Sequence, residues 1–231
     1  MVIEILCREG CDALEHAKDV VRRTLDSLGI RQPIDVVKLR NHKGGGKYAG
    51  LAGPIIKVNG ERILSPSPGL PDSEILRYKI ARAAGLRTVL FIGKNNAVRS
   101  QMAEGIVNDR FKGTWAAFSA GLMPVDIPVD VIKVMRERSI DISARRAKHL
   151  DLFKDLSFDR IVMLCEDASK GSPRLPEYAE RECLFFRDTL SSNGALDGAL
   201  FSMRSTFRGL RDDIEEKVVK YLDGINDSRA H

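Results

Sequence analysis

Apolar and polar positions alternate with two periodicities, that of a strand and that of a helix, in the first 85 residues of this chain. Val2–Leu6 alternates as a strand does, and the apolar positions of Asp12–Leu28 follow helical spacing up to Gly29, which ends the helix. Asn59-Gly60 predicts a tight hairpin turn. The further predicted elements of this part are, in order, strand Ile34–Leu39, strand Pro54–Val58, strand Arg62–Leu64 and a helix over Asp72–Ala84, which Gly85 ends.

After residue 86 the pattern changes to apolar strands that alternate with helices. The strand Thr88–Ile92 runs into a short polar loop and a helix start at Arg99, and a later apolar strand, Arg160–Cys165, ends on a cysteine. Helices are predicted near 98–111, 129–138, 174–181 and 207–223, and Cys183 is predicted to lie buried in a strand. Residues 65–72 form the densest Pro/Gly stretch and break regular structure. We therefore expect two domains, 1–85 and 86–231.

Composition narrows the function classes. The chain has 231 residues and 37 Lys/Arg against 32 Asp/Glu, and most of the positive excess lies in residues 1–85. This mild charge predicts a solvated basic surface rather than nucleic-acid binding, and no nucleic-acid motif accompanies it. No apolar run reaches membrane-spanning length and the first residues read as a strand, so a cytoplasmic protein is expected. Four cysteines in this length do not predict a disulfide scaffold.

The candidate chemistry lies between the strand Thr88–Ile92 and the following helix. Backbone N–H groups of such a loop, with a helix N-terminus, form a cradle for an anion, and Arg99 adds a planar fork of charged donors. Lys94 adds charge at the loop mouth or simply points into solvent. The predicted oxyanion-binding residues are Gly93, Lys94, Asn95, Asn96, Ala97, Val98, Arg99 and Ser100.

This loop resembles the Cys-(x)5-Arg-Ser loop of low-molecular-weight protein tyrosine phosphatases and thioredoxin-coupled arsenate reductases. Further similar segments are Gln101–Gly105, the Ser119-Ala120-Gly121 turn and Pro128–Asp151. The resemblance covers about residues 86–225. It implies a doubly wound α/β domain with a parallel sheet of about four strands and the site at the carboxyl end of the first.

The departures from that family fall on its catalytic elements. Gly93 stands where the family has its nucleophilic cysteine, Thr189 where a proline follows the general acid, and Ser172 where some arsenate reductases have a second resolving cysteine. Asp188 matches the general acid, or is a surface carboxylate. Cys165 matches the first resolving thiol, or is a buried cysteine at a strand end.

Residues 1–84 resemble a small thioredoxin-like domain. That resemblance implies a cis bond at Gly53–Pro54 and a Cys-x-x-Cys pair at the start of the first helix. Here Cys11 is followed by Leu14 in the second position. Cys11 is therefore either a redox thiol or a retained thiol packed at a helix start. Cys7 is expected to be buried, and a Cys7–Cys11 disulfide is geometrically possible although it is not the family's pair.

Three functions remain open from the sequence. The first is a catalytically silent protein that binds phosphate, arsenate, a similar oxyanion or a phosphorylated protein. The second is an active arsenate reductase or phosphatase that uses Cys11 or Cys165 and a thioredoxin system. The third is a non-catalytic interaction module with a vestigial loop. None of the three requires a cofactor, a metal, a nucleic acid or a membrane.

Overall fold

The computed structural model describes residues 1–39, 53–63, 72–170, 174–186 and 199–227. These residues belong to two compact units. The first comprises Met1–Arg87 with Lys112–Thr114, and the second comprises Thr88–Phe111 with Trp115–His231. No helix within the described residues is long and apolar enough to cross a membrane.

The described part of the first unit forms one mixed sheet and two helices. Its strands lie in the order β2-β1-β3-β4, with β1 parallel to β2 and antiparallel to β3, and β3 antiparallel to β4. The elements are β1 (Ile3–Arg8), α1 (Leu14–Leu28), β2 (Asp35–Leu39), β3 (Ile55–Val58), β4 (Glu61–Arg62) and α2 (Ser73–Ala83).

Local sequence signals explain both helices of this unit. One face of α1 buries Ala17, Val21 and Leu25, and Gly29 ends the helix in the left-handed conformation at φ 71°. Asp72 caps α2, because its side chain accepts a 2.8 Å hydrogen bond from the Glu74 N–H.

The predicted cis bond at Gly53–Pro54 is wrong. The described residues contain no cis peptide bond, so this bond is trans. A trans X–Pro bond is favoured by about 0.5–1 kcal/mol, and Gly53 has no Cβ to meet the proline ring. Pro54 is nevertheless buried directly before β3.

The second unit is a sheet of order β6-β5-β7-β8, in which the β5–β7 and β7–β8 pairs are parallel. Its strands and helices are β5 (Arg87–Gly93), α3 (Arg99–Arg110), β6 (Trp115–Gly121), α4 (Val129–Arg136), β7 (Ser157–Met163), α5 (Glu166–Lys170), β8 (Glu177–Cys183) and α6 (Ala199–Asp227), with a short 3-10 helix at Leu150–Phe153. The expected α/β class and parallel pairing are confirmed.

Two sequence predictions fail at the edge of this sheet. The sequence predicts a helix over 174–181, but 177–183 form β8, paired in parallel with β7. Glu and Arg favour helices locally, and the ladder to β7 overrides that preference. Cys183 is exposed at the end of β8 rather than buried, because this strand lies at the outer edge of the sheet. Strand β7 ends at Met163, two residues before Cys165.

The core of the second unit holds the carboxyl end of β5 in place. β5 is buried from Thr88 to Gly93, and β6 is buried along its whole length. Phe118, Phe153 and Phe158 pack edge to face with ring centroids 5.8–6.0 Å apart. The loop after β5 therefore begins at the end of a fully packed strand.

Candidate phosphate-loop site

Gly93 ends β5 and Arg99 begins α3, so the predicted loop is a strand–loop–helix connection. The backbone of Gly93 does not have the positive φ that favours glycine. A Cβ built there would lie 3.3 Å from Ser100 Oγ and 3.7 Å from Ser100 Cβ. The backbone conformation therefore does not demand a glycine at this position, and a side chain there would need only a small shift of the Ser100 hydroxyl.

Asn96 is the centre of the loop. It is 1% exposed and has a left-handed backbone with φ 47°. Its Nδ2 donates to Ser100 Oγ at 2.9 Å and to Ser119 Oγ at 2.8 Å. Its Oδ1 accepts from Gln101 Nε2 at 3.0 Å and from the Lys148 N–H at 2.7 Å. All four hydrogen-bonding positions of this amide are thus used inside the protein.

A buried carboxylate supports the same network from α3. Glu104 is 2% exposed, and its Oε2 accepts from Ser119 Oγ at 2.5 Å and from Lys148 Nζ at 3.0 Å. Arg145 Nη1 lies 3.4 Å from Glu104 Oε1. A buried charge is tolerated only when it is paired and hydrogen-bonded in this way.

Residues 121–125 bind the outer side of the loop. The N–H groups of Leu122 and Met123 donate to the Lys94 carbonyl at 2.8 and 2.9 Å, and the Val125 N–H donates to the Asn95 carbonyl at 3.1 Å. Because C=O and N–H point in opposite directions within a trans peptide unit, the N–H groups of Asn95 and Asn96 face away from this segment.

Gly121 makes this close approach possible. A Cβ there would lie 2.7 Å from the Asn96 nitrogen and 2.9 Å from the Lys94 carbonyl oxygen, both backbone atoms. A larger residue would have to displace the loop. The Ser119-Ala120-Gly121 segment, which the resemblance describes as a turn, forms the end of β6, and its glycine has this steric reason.

The charged groups of the loop lie at its surface. Arg99 is partly exposed and its Nη1 donates to the Phe186 carbonyl at 3.2 Å, and Lys94 is exposed. Ala97, Val98 and Ser100 are buried. Among the described residues no side chain caps the N-terminus of α3.

The eight predicted loop residues form one continuous strand–loop–helix segment, and Cys165 lies two residues after the end of the neighbouring strand β7. The Leu164 N–H donates to the Ile92 carbonyl at 2.9 Å, so the chain just before Cys165 borders the end of β5; Cys165 is 7% exposed. Cys11 belongs to the first unit and is partly buried in the turn before α1. The predicted general acid Asp188, with Thr189 and Ser172, lies outside the described residues.

Sequence reasoning assigned no positioning role to Glu104 or Lys148. Residues 100–107 of α3 are all buried, yet Ser100, Gln101 and Glu104 among them are polar. Polar side chains on a fully buried helix need internal partners. The sequence signal that points to the network is therefore a helix whose polar residues do not gather on one face.

A family comparison agrees with this geometry. The family model described as "Low molecular weight phosphotyrosine protein phosphatase" matches residues 88–230. The chain belongs to this family. The matched residues include the loop, its network and all four strands of the second sheet except Arg87, the first residue of β5.

Curated relatives of this phosphatase-family chain include bacterial arsenate reductases. It is 29% identical over 137 residues to the arsenate reductase of Bacillus licheniformis, and the matched region covers 59% of this chain and 96% of the relative. It is 30% identical over 135 residues to an arsenate reductase of Staphylococcus aureus, and the matched region covers 58% of this chain and 95% of the relative.

Solved structures show the same likeness. The structure described as "An arsenate reductase in the phosphate binding state" has a TM-score of 0.50 and 27% identity, covering 61% of this chain and 99% of its own. "An arsenate reductase in oxidized state" has a TM-score of 0.51 and 26% identity, covering 61% and 99%. The similarity covers nearly the whole of these relatives and only the second part of this chain.

Proposed function

We propose that this family member binds an oxyanion or a phosphorylated group in the loop Gly93–Ser100 without turning it over by the family's thiol route. One observation carries the proposal. The loop is fixed by the fully bonded Asn96, while position 93, at its start, has no side chain. Both features support a binding site that lacks its nucleophile.

The loop offers several kinds of donor to such an anion. The N–H groups of Asn95 and Asn96 face away from residues 121–125, and the first N–H groups of α3 add the positive end of the helix dipole. Ser100 Oγ accepts from Asn96 and keeps a proton to donate. Arg99 and Lys94 supply charge, and a guanidinium matches a tetrahedral oxyanion in two-pronged geometry.

Covalent catalysis in this loop needs a nucleophile at its start, and glycine has none. A thiolate there would also place a negative charge against the bound anion. Its absence would strengthen binding by about 1–3 kcal/mol if one unfavourable charge contact is removed. Binding without turnover is therefore the expected behaviour.

The segment bound to the loop favours a phosphorylated group over a bare ion as ligand. Met123 is 64% exposed and Val125 is 49% exposed, and both are held at Lys94 and Asn95 by backbone hydrogen bonds. Val129, at the start of α4, is also exposed. An organic group attached to the phosphate would gain apolar contact with such side chains.

Calorimetric titration of the full chain with phosphate, sulfate, arsenate and phenyl phosphate tests this proposal. We expect millimolar or tighter binding, tightest for phenyl phosphate, and at least a tenfold loss in Arg99→Gln. Lys133→Gln, a change at an exposed lysine on α4, serves as the control. Absence of millimolar binding for all four anions would contradict the proposal and favour the non-catalytic interaction module.

The missing nucleophile is tested by Gly93→Cys. Since a Cβ at residue 93 meets only the Ser100 side chain, at 3.3 Å or more, we expect the variant to fold and to hydrolyse p-nitrophenyl phosphate or reduce arsenate. The unaltered protein should be inert in both assays with thioredoxin and reductant present. Turnover by the unaltered protein would overturn the silent-site proposal.

One observation favours a second candidate, an active arsenate reductase or phosphatase with a different thiol. Cys165 follows Leu164, whose N–H is bonded to the end of β5. If the unaltered protein turns over, Cys165→Ser should abolish the activity. If activity instead disappears in Cys11→Ser, the thiol of the first unit is the one used.

We infer in addition that the first unit has a thioredoxin-like fold. Support comes from its β-α-β-β-β-α order and its sheet order β2-β1-β3-β4 with β1 and β2 parallel. The trans Gly53–Pro54 bond and Leu14 in place of a second cysteine depart from that pattern. An experimental structure of the full chain, superposed on thioredoxins over residues 1–84, tests the inference.

A further inference from the structure

Two cysteines lie on either side of one tight turn in the first unit. Cys7 is the penultimate residue of β1. The Cys11 N–H donates to the Arg8 carbonyl at 3.3 Å, and Gly10 takes φ 73°. An i to i+3 hydrogen bond with a left-handed third residue makes a turn that reverses the chain, with its ends less than about 7 Å apart. The turn therefore brings Cys11 back beside the end of β1.

The two thiols differ in exposure. Cys7 is 2% exposed, whereas Cys11 is accessible in part, just before α1. Leu14 N–H donates to the Cys11 carbonyl at 3.2 Å, which ties Cys11 to the start of that helix. A buried thiol next to an accessible one is the arrangement in which one sulfur attacks an external partner and the other closes the pair.

The electrostatics of Cys7 agree with this closeness. Burial raises the pKa of the Cys7 thiol, and the neighbouring Cys11 raises that pKa further. Lys38, which lies opposite Cys7 on the neighbouring strand β2, and Lys18 on α1 lower this pKa. Burial and the neighbouring Cys11 therefore both favour the protonated form of the Cys7 thiol.

We propose that Cys7 and Cys11 form a redox pair that exchanges with low-molecular-weight disulfides. This function is independent of anion binding at residues 93–100. It also does not require the Cys-x-x-Cys spacing, which Leu14 interrupts, since Cys7 supplies the second sulfur from the strand.

The exchange has two steps. The Cys11 thiolate, after losing its proton to solvent, attacks one sulfur of a disulfide such as glutathione disulfide, and the other sulfur leaves as a thiolate. The Cys7 thiol then loses its proton and attacks Cys11 Sγ, releasing the second thiolate. The two released thiolates take up the two protons, so one external disulfide is reduced to two thiols while Cys7 and Cys11 lose two electrons to form a disulfide.

Peptide mapping of the full chain tests this pairing directly. The fully reduced protein is equilibrated with glutathione disulfide, its remaining thiols are alkylated, and it is digested with trypsin. Cleavage after Arg8 separates the cysteines, so the expected product is Met1–Arg8 disulfide-linked to Glu9–Lys18. In a Cys183→Ser background, which removes the exposed thiol of the second unit, two glutathione thiols should be released per chain. If Cys7 and Cys11 are both alkylated, or are joined only to other cysteines, the proposal is overturned.

Matched variants separate the roles of the two sulfurs. Cys11→Ser should abolish the reaction, whereas Cys7→Ala should stop at a glutathione adduct on Cys11 with one thiol released. Cys183→Ser, a change at an exposed cysteine of the second unit, should leave the linked peptide unchanged. A Cys11→Ser variant that still releases two thiols would contradict the proposal. The peptide map of the unaltered chain keeps the test valid if Cys7→Ala fails to fold.

Discussion

At the residue scale, Asn96 shows why the loop after β5 keeps one conformation. It adopts a left-handed backbone that asparagine tolerates better than most residues. Its side-chain amide joins the loop to α3, to β6 and to the backbone N–H of Lys148. A single buried amide thus connects the parts of the chain that shape the site.

Replacing Asn96 should therefore cost both stability and binding. Asn96→Ala removes the hydrogen bonds that Asn96 makes with Ser100 Oγ, Ser119 Oγ, Gln101 Nε2 and the Lys148 N–H, and one lost buried hydrogen bond costs about 1–3 kcal/mol. We expect the free energy of unfolding in urea to fall by roughly 3 kcal/mol. Asn95→Ala, at a more exposed neighbouring position, should change it far less. Equal losses in both variants would contradict the central role of Asn96.

Gly121 acts at the same scale by allowing backbone to touch backbone. Gly121→Ala would place its Cβ 2.7 Å from the Asn96 nitrogen, and overpacking of this kind typically costs about 1–3 kcal/mol. We expect a lower melting temperature and weaker phosphate binding. Gly209→Ala is the control, because open space surrounds that helical position and alanine should stabilise α6 by about 0.5–1 kcal/mol. Unchanged phosphate binding in Gly121→Ala would show that the loop shifts without consequence.

At the element scale, α6 packs one apolar face against the core of the second unit, and ion pairs connect its other side to α4. Phe207, Leu210, Ile214 and Val218 are buried at helical spacing. Arg208 donates to both oxygens of Glu137 through Nε, at 3.1 and 2.8 Å, and Arg204 Nε donates to Asp130 at 2.9 Å. These pairs join helices that are about 70 residues apart in the sequence.

The ion pairs predict a modest loss of stability in acid. The hydrogen bond from Arg208 lowers the pKa of Glu137, and the hydrogen bond from Arg204 lowers the pKa of Asp130. A carboxylate with a lowered folded-state pKa stabilises the fold above its unfolded pKa, about 4, and this stabilisation is lost as pH falls through the folded value. We expect the unfolding free energy of Glu137→Gln, measured in low salt, to fall less between pH 5 and pH 2.5 than that of the unaltered protein. An unchanged pH profile would show that these exposed pairs contribute nothing measurable.

At the scale of the whole molecule, the chain joins a family domain to a separate compact unit. The family match begins at residue 88, and the arsenate reductase relatives are matched over almost their entire length. The second unit therefore contains what those relatives need for their own fold. The first unit has its own sheet and core and carries the Cys7–Cys11 turn.

This organisation predicts that residues 86–231 fold without the first part. The fragment should unfold in one cooperative transition by circular dichroism and bind phosphate with the affinity of the full chain. The full chain with Arg99→Gln is the control for loss of binding without loss of fold. A fragment that is unfolded, or that binds no phosphate although the full chain does, would show that the second unit depends on the first.

Sequence alone determined the features that depend on near neighbours. The end of α1 at Gly29, the Asp72 cap and the loop between β5 and Arg99 follow from local backbone and hydrogen-bond chemistry. The glycine at position 93 is likewise plain from the sequence. Each of these features can be predicted from residues that are close to it in the sequence.

Only the tertiary structure decided the features that depend on distant partners. Residues 177–183 became a strand because β7 offered them a parallel ladder, and Cys183 ended exposed on that outer strand. Glu104 is stable inside the protein because Lys148, 44 positions away, meets it. The reason is the same in each case: hydrogen bonds and ion pairs formed across the fold outweigh local preference, and their partners cannot be read from a window of sequence.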